Sequence, residues 1–126
     1  MIHNRHFTRE EADTMVSTLA PLLEQLREAK NSLTDAEAHR ALTDASEGNG
    51  GGTEGRQVGE AFLQVRGLLS AVQEMGVVVK DIDRGLVDFP AVMDGREVYL
   101  CWQLGEESVG YWHELDAGFP GRQSLG

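Results

Sequence analysis

The 126-residue sequence is short of cysteine, of basic side chains and of long apolar runs. Its single cysteine, Cys101, excludes a disulfide within the chain, so nothing in the cysteine usage indicates secretion. The 11 Lys and Arg residues face 21 Asp and Glu residues, and the net charge of −10 disfavours nucleic acid and anionic membranes as partners. Apolar runs such as 98–102 fall well below the roughly 18 residues of a membrane-spanning helix. We therefore expect a cytoplasmic protein with no nucleic-acid partner and no membrane partner.

Glycine, by contrast, is abundant, with 15 residues in the chain. Several of them fall in the segment 47–55, which predicts a flexible connector because ordering glycine costs more backbone entropy than ordering other residues. The length fits a single domain, residues 1–126, that is large enough to bury a hydrophobic core.

A long helix is predicted to begin after Thr8, because Thr8 and Glu11 have the spacing of a capping box. Pro21 lies inside the helical pattern and predicts a kink in the preceding turn. A second capping-box spacing begins at Thr34, which leaves open whether the helix is continuous through residues 31–34 or bends there. Apolar residues recur at every seventh position, as expected for a helix with one buried face: Ala12, Leu19, Leu26 and Leu33.

A second helix is predicted over about residues 56–75, where Val58, Val65 and Val72 repeat with the same period. Gly76 follows as a stop signal. Two helices with matching apolar stripes and a short connector predict an antiparallel helical hairpin over about residues 8–75.

From residue 77 onwards the pattern changes to short extended segments separated by turns. Residues 83–85 are typical of a turn, and Asp94–Gly95 is typical of a two-residue β-hairpin. These signals predict an antiparallel meander of three or four strands over about residues 77–115, followed by an irregular tail, residues 116–126. The predicted fold class is α+β, with the long N-terminal hairpin packed on the C-terminal sheet.

The predicted strand 98–104 is apolar on both faces, because Tyr99 and Cys101 alternate with aliphatic and tryptophan side chains. A helical hairpin covers only one face of a small sheet, so the other face needs a second cover. Self-association into a dimer or a larger homo-oligomer would provide it. The alternative is that the C-terminal tail covers this face, with Phe119 as a plug.

Three motifs are distinctive in the C-terminal half: GLVDFP at 85–90, YLCW at 99–102 and YWHE at 111–114. Together with FTREEADTMVSTLAPLLEQL at 7–26, they resemble the bacterial family known as domain of unknown function 2203. The resemblance extends over nearly the whole chain. It implies a small soluble protein with the fold of that family, but it implies no reaction, cofactor or catalytic residue.

One histidine and several carboxylates are predicted near one edge of the sheet. Asp83 and Asp88 flank the first strand turn, and His113 and Glu114 end the last strand. Imidazole and carboxylate groups bind divalent metals, and the same groups can form a general acid and base pair. Successive residues of a strand point to opposite faces, so His113 and Glu114 cannot both point inward. The alternative interpretation is a solvated acidic rim with a hydrogen-bonded histidine.

A further candidate group is aromatic and cationic. Arg84, Trp102, Tyr111 and Trp112 could surround a small ligand, although aromatic residues in paired strands more often pack against one another. Cys101 lies in the most apolar strand and is interpreted as a core residue rather than as a nucleophile.

Three functions are compatible with these patterns. The first is a non-catalytic, self-associating interaction protein. The second is a metal-binding protein or metal-dependent enzyme that uses the His/carboxylate cluster, and the third is a small-ligand binder. A divalent metal is the only cofactor that the residues suggest, and whether the chain is an enzyme stays open.

Overall fold

The computed structural model describes residues 1–47 and 53–126, and in it two helices precede a five-stranded sheet. The strand order is β1-β2-β3-β4-β5, and each neighbouring pair is antiparallel. The elements are α1 Arg9–Glu47, α2 Thr53–Glu74, β1 Val78–Asp81, β2 Leu86–Met93, β3 Arg96–Gln103, β4 Tyr111–Glu114 and β5 Gln123–Ser124, with a 3₁₀ turn at Phe119–Gly121. The predicted α+β fold is confirmed, and the fifth strand comes from the tail that was expected to be irregular.

Helix α1 is one uninterrupted helix of 39 residues. Its N-terminus has the predicted capping box, since the Glu11 N–H donates to Thr8 Oγ1 at 3.1 Å and the Thr8 N–H donates to Glu11 Oε1 at 2.9 Å. The helix continues through Pro21 and through residues 31–34. Thr34 does not cap a second helix, because its hydroxyl donates to the Lys30 carbonyl at 3.1 Å.

Helix α2 begins at Thr53, slightly earlier than predicted, and ends at Glu74. Gly76 follows with a φ of 86°, the left-handed conformation that commonly terminates a helix. The predicted connector 47–55 overlaps the ends of both helices, and its residues 48–52 lie outside the described part of the chain.

The hydrophobic core lies between the helices and one face of the sheet. Helix α1 contributes the predicted heptad residues Ala12, Leu19 and Leu26, each 0% exposed. Helix α2 contributes Val72, which is also fully buried. The sheet contributes a set of alternating side chains that we name the core face: Val87, Phe89, Ala91, Val98, Leu100 and Trp102.

A tight turn at residues 94–95 fixes the register of the central hairpin. Both turn residues have positive φ, 52° and 78°, as a two-residue type I′ turn requires. The turn places Asp88 directly opposite Cys101 in the β2–β3 pair. In the β3–β4 pair, Tyr99 lies opposite His113.

These register partners point away from the helices and define what we name the polar face: Asp88, Glu97, Tyr99, Cys101 and His113. Asp88, Cys101 and His113 are each 1% exposed within the single chain, and Tyr99 is 5% exposed. One chain therefore already buries these four residues, and covering them does not require a second copy.

The two ends of the chain provide the cover. At one end of the polar face, the N-terminal residues bind Glu97 and Tyr99. At the other end, the Arg122 guanidinium lies 3.8 Å from the centre of the Tyr111 ring, and Phe119 packs against Arg122. The tail, which the sequence offered as an alternative cover with Phe119 as a plug, contacts this face through Arg122 at Tyr111.

Candidate metal site on the polar face

A carboxylate, a thiol and an imidazole from three adjacent strands meet on the polar face. One ligand atom from each of Asp88, Cys101 and His113 lies within 4.8 Å of the others, and all three residues are buried. Asp88 and Cys101 meet because they are register partners. His113 joins them because its partner Tyr99 stands two residues before Cys101 on the same face of β3.

The orientation of the His113 ring is fixed by two hydrogen bonds. Nδ1 lies 2.7 Å from the backbone carbonyl of Glu114, and Nε2 lies 3.0 Å from Oδ1 of Asp88. A carbonyl only accepts, so Nδ1 carries a hydrogen and donates it. The contact between Nε2 and Asp88 therefore also holds a proton, which belongs either to an imidazolium or to a neutral carboxylic acid.

The Asp88 carboxyl group is incompletely satisfied. Burial raises its pKa, and the neighbouring His113 and Lys80 charges oppose that rise. Its Oδ2 atom is buried without a hydrogen bond of normal geometry, and the adjacent Cys101 thiol is only a weak donor. Since buried polar atoms are nearly always partnered, this orphan oxygen marks a place where a group can bind.

Cys101 is a protonated thiol in this environment. Burial and the nearby Asp88 carboxylate raise its pKa to about 12. The His113 Nε2 atom faces Asp88, so the imidazole is not aligned to activate the thiol as a nucleophile. The interpretation of Cys101 as a buried residue holds, but its side chain lies on the polar face rather than in the hydrophobic core.

The structure brings together two of the four residues predicted as metal ligands, Asp88 and His113. Glu114 points to the opposite face, where its carboxylate binds Arg96, and it contributes only its backbone carbonyl to the cluster. Asp83 is 61% exposed and binds Lys30 at 2.7 Å. Cys101 is the member of the cluster that the sequence hypothesis did not include.

The four residues predicted to surround a small ligand lie on different sides of the sheet. Trp102 and Trp112 pack with the hydrophobic core. Arg84 stacks on Phe119 at 4.2 Å from its ring centre, and Tyr111 lies beneath the tail on the polar face. They do not line a common cleft.

The fold and the cluster together define a small α+β protein with a buried Asp/Cys/His group on the sheet face remote from its helices. The family model of domain of unknown function 2203, described as an uncharacterized conserved protein, matches residues 5–125, so the chain belongs to this family and the resemblance is confirmed. No curated protein and no solved structure matches the chain. Within residues 1–47 and 53–126, no helix combines the length and hydrophobicity needed to cross a membrane.

Proposed function

We propose that this chain is a metal-binding protein that holds a divalent transition-metal ion between Asp88, Cys101 and His113. The observation that carries the proposal is the buried convergence of three different ligand atoms within 4.8 Å of one another. Ionisable groups removed from water are costly unless they are paired or bind a metal, and an ion among these three would pair with the carboxylate and the thiolate together.

The orientation of His113 supports this function. Histidines that bind metals usually donate their second ring N–H to a carbonyl or carboxylate, which fixes the ring and leaves the other nitrogen free to bind. The Glu114 carbonyl accepts such a bond from Nδ1, and Nε2 is directed at the cluster. Binding of the ion would displace the proton now shared by His113 and Asp88.

The donor set favours a borderline metal ion over a hard one. Thiolate and imidazole are ligands of Zn²⁺ and of its transition-metal neighbours, whereas Mg²⁺ and Ca²⁺ need several oxygen ligands. The cluster offers one sulfur, one nitrogen and one carboxylate. Zn²⁺ is therefore the first ion to test, and three protein ligands leave one tetrahedral position for water or another group.

The test is metal stoichiometry together with a spectroscopic signature of the thiolate. Apo protein is loaded with Zn²⁺, separated from free ions and analysed for bound metal, and a second sample is loaded with Co²⁺. We expect one ion per chain and a thiolate-to-cobalt charge-transfer band that disappears in Cys101→Ser. His113→Ala should also abolish binding. A wild-type chain that binds no ion would refute the proposal.

Asp83→Asn is the matched control for Asp88→Asn. Both changes remove one carboxylate charge, but Asp83 is mostly exposed and binds Lys30. We expect Asp83→Asn to bind metal like the wild type and Asp88→Asn to bind it much more weakly. The reverse result would place the ion at the turn rather than in the cluster.

Self-association is a second candidate function, and exposed apolar side chains on α2 support it. Phe62 is 53% exposed and Leu63 is 63% exposed. A helical hairpin can bury such side chains against a second copy, as in a four-helix bundle. Sedimentation of the wild type and of a Phe62→Ser/Leu63→Ser variant tests this: a dimer that dissociates in the variant supports it, and a monomeric wild type at high concentration refutes it.

A further inference from the structure

The N-terminal strap, which we define as residues 2–6, is attached to the sheet chiefly through one carboxylate. The backbone N–H of Ile2 donates to Glu97 Oε1 at 2.8 Å, and that of His3 donates to Oε2 at 3.1 Å. The His6 Nε2 atom also contacts Oε2 at 2.7 Å. The Glu97 side chain, only 5% exposed, thus joins both ends of the strap to β3.

The strap reaches the Asp88/Cys101/His113 cluster through Tyr99. His3 Nε2 lies 2.7 Å from the Tyr99 hydroxyl, and the His3 ring meets the Tyr99 ring edge-on at a centroid distance of 5.3 Å. Tyr99 in turn packs on His113, with ring centroids 5.5 Å apart. A continuous stack therefore runs from the strap to a proposed metal ligand.

The strap is weakly held compared with the residue that follows it. Phe7 is 3% exposed, donates its N–H to the Pro90 carbonyl at 2.7 Å and packs on Phe89. By contrast, Ile2 is 73% exposed, and Arg5 adds one exposed hydrogen bond, to the Met75 carbonyl. A segment with few buried apolar contacts unfolds locally at a lower free-energy cost than the core does. The strap can therefore detach from the sheet while Phe7 stays packed.

We propose that the strap is a gate for the metal cluster and that Glu97 is its latch; this inference rests on the proposed metal-binding function. Detachment of the strap removes His3 from Tyr99 and frees Tyr99 to move away from His113. The ion enters and leaves through this opening, and the closed strap retains it. The gate therefore controls the rates of loading and release more than the affinity.

The first test needs no metal, because Cys101 is the single cysteine of the chain. The rate at which a thiol reagent modifies Cys101 in the apo protein reports how often the cluster is exposed. Glu97→Gln keeps the shape of the latch but loses its charge and one acceptor oxygen. Since hydrogen bonds to a charged group are among the stronger ones, we expect modification to accelerate by about tenfold or more. His6→Ala removes one of the three contacts and should give a smaller acceleration.

Glu107→Gln is the matched control, because Glu107 is exposed in the loop between β3 and β4 and the substitution changes the same charge. Its modification rate should stay within about twofold of the wild type. Urea unfolding of each variant, with hydrogen exchange of the core strands, separates strap opening from global unfolding. Equal rates in Glu97→Gln and Glu107→Gln would overturn the gate. Acceleration only in Arg122→Ala would also overturn it, since the opening would then lie under the tail.

The second test uses the loaded protein. In Glu97→Gln, loading of Zn²⁺ and its loss to a chelator should both accelerate by a similar factor, while the affinity stays within about threefold of the wild type. A variant that loses affinity with unchanged rates of loading would contradict the gate. The two proposals can be refuted independently. Absence of bound metal refutes the metal-binding function, but the rate of Cys101 modification in the apo protein still tests strap opening. Bound metal together with an unchanged rate of Cys101 modification in Glu97→Gln refutes only the gate.

Discussion

Both faces of the sheet contain fully buried residues, but the side chains on the core face are apolar and several of those on the polar face are ionisable. Phe89 on the core face is 0% exposed, and Cys101 on the polar face is 1% exposed. The core face is covered by two helices that bring apolar side chains, whereas the polar face is covered by the two ends of the chain. Burial on the core face stabilises the fold through removal of apolar surface from water. Burial on the polar face instead raises the pKa values of Asp88 and Tyr99.

The apolar residues of the core face stabilise the fold, whereas the ionisable residues of the polar face are those that could bind a ligand. A buried carboxylate beside a histidine contributes little net stability, and apolar replacements of such pairs are often neutral or stabilising. The orphan Oδ2 atom of Asp88 makes the polar face less favourable still. A ligand that satisfies the cluster would turn this unfavourable burial into binding free energy, which is the physical reason for placing function here.

The largest expected loss of stability comes from a substitution on the core face. Phe89→Ala removes a fully buried aromatic side chain and should lower the free energy of unfolding by about 3–5 kcal/mol. Cys101→Ala, on the same sheet but on the other face, should cost only about 1 kcal/mol in the apo protein. Urea denaturation of both variants measures the difference. Equal costs for Phe89→Ala and Cys101→Ala would contradict the division between the faces.

The next effect tests whether Asp88 and His113 act as a unit. His113→Ala leaves a buried carboxyl group without its partner and should destabilise the apo protein by about 3 kcal/mol. The double variant Asp88→Ala/His113→Ala should cost less than the sum of the single variants by about 1–2 kcal/mol, because neither partner is then left alone. Additive costs in the urea denaturation cycle would show that the 3.0 Å contact carries no coupling.

The hairpin and the core face were predictable because local patterns determine them. The heptad spacing of Leu19 and Leu26 identified the buried side of α1, and the structure buries both residues completely. The Thr8 capping box located its first turn. The patterns did not determine whether α1 is continuous, because Thr34 begins a second capping-box spacing. The helix continues through Thr34 because it packs against α2.

Only part of the Asp88/Cys101/His113 site could be predicted from the sequence, because the site depends on the register between strands. A two-residue turn at 94–95 pairs Met93 with Arg96, and counting back along the hairpin from that pair places Asp88 opposite Cys101. This signal was present in the sequence. The position of His113 was not, because residues 104–110 connect β3 to β4 by an irregular loop whose length does not determine the register.

A smaller, pH-dependent effect tests the cover of the polar face. Burial alone would raise the pKa of Glu97, but hydrogen bonds from His6 and from the backbone N–H groups of Ile2 and His3 outweigh it and lower the pKa to about 2. In the unfolded chain the ordinary value is 4.5. The stabilisation from Glu97 is therefore complete above pH 4.5 and is lost as the pH falls from 4.5 towards 2.

Urea denaturation of the wild type between pH 5 and pH 3 should accordingly show a loss of stability that is shallower in Glu97→Gln. The control variant Glu107→Gln should follow the wild type, because its carboxylate is exposed. Identical slopes for all three proteins would mean that the strap contacts do not persist in solution.

The smallest effect is expected at Asp83, the predicted metal ligand that the fold places outside both faces. Its ion pair with Lys30 joins the first strand turn to α1, but the two side chains are 61% and 39% exposed. Exposed ion pairs are screened by water and salt, so Asp83→Asn should change the free energy of unfolding by less than about 0.5 kcal/mol. The same substitution should leave metal stoichiometry unchanged. A large loss of stability would mean that this turn, and not only the two faces, holds the helices on the sheet.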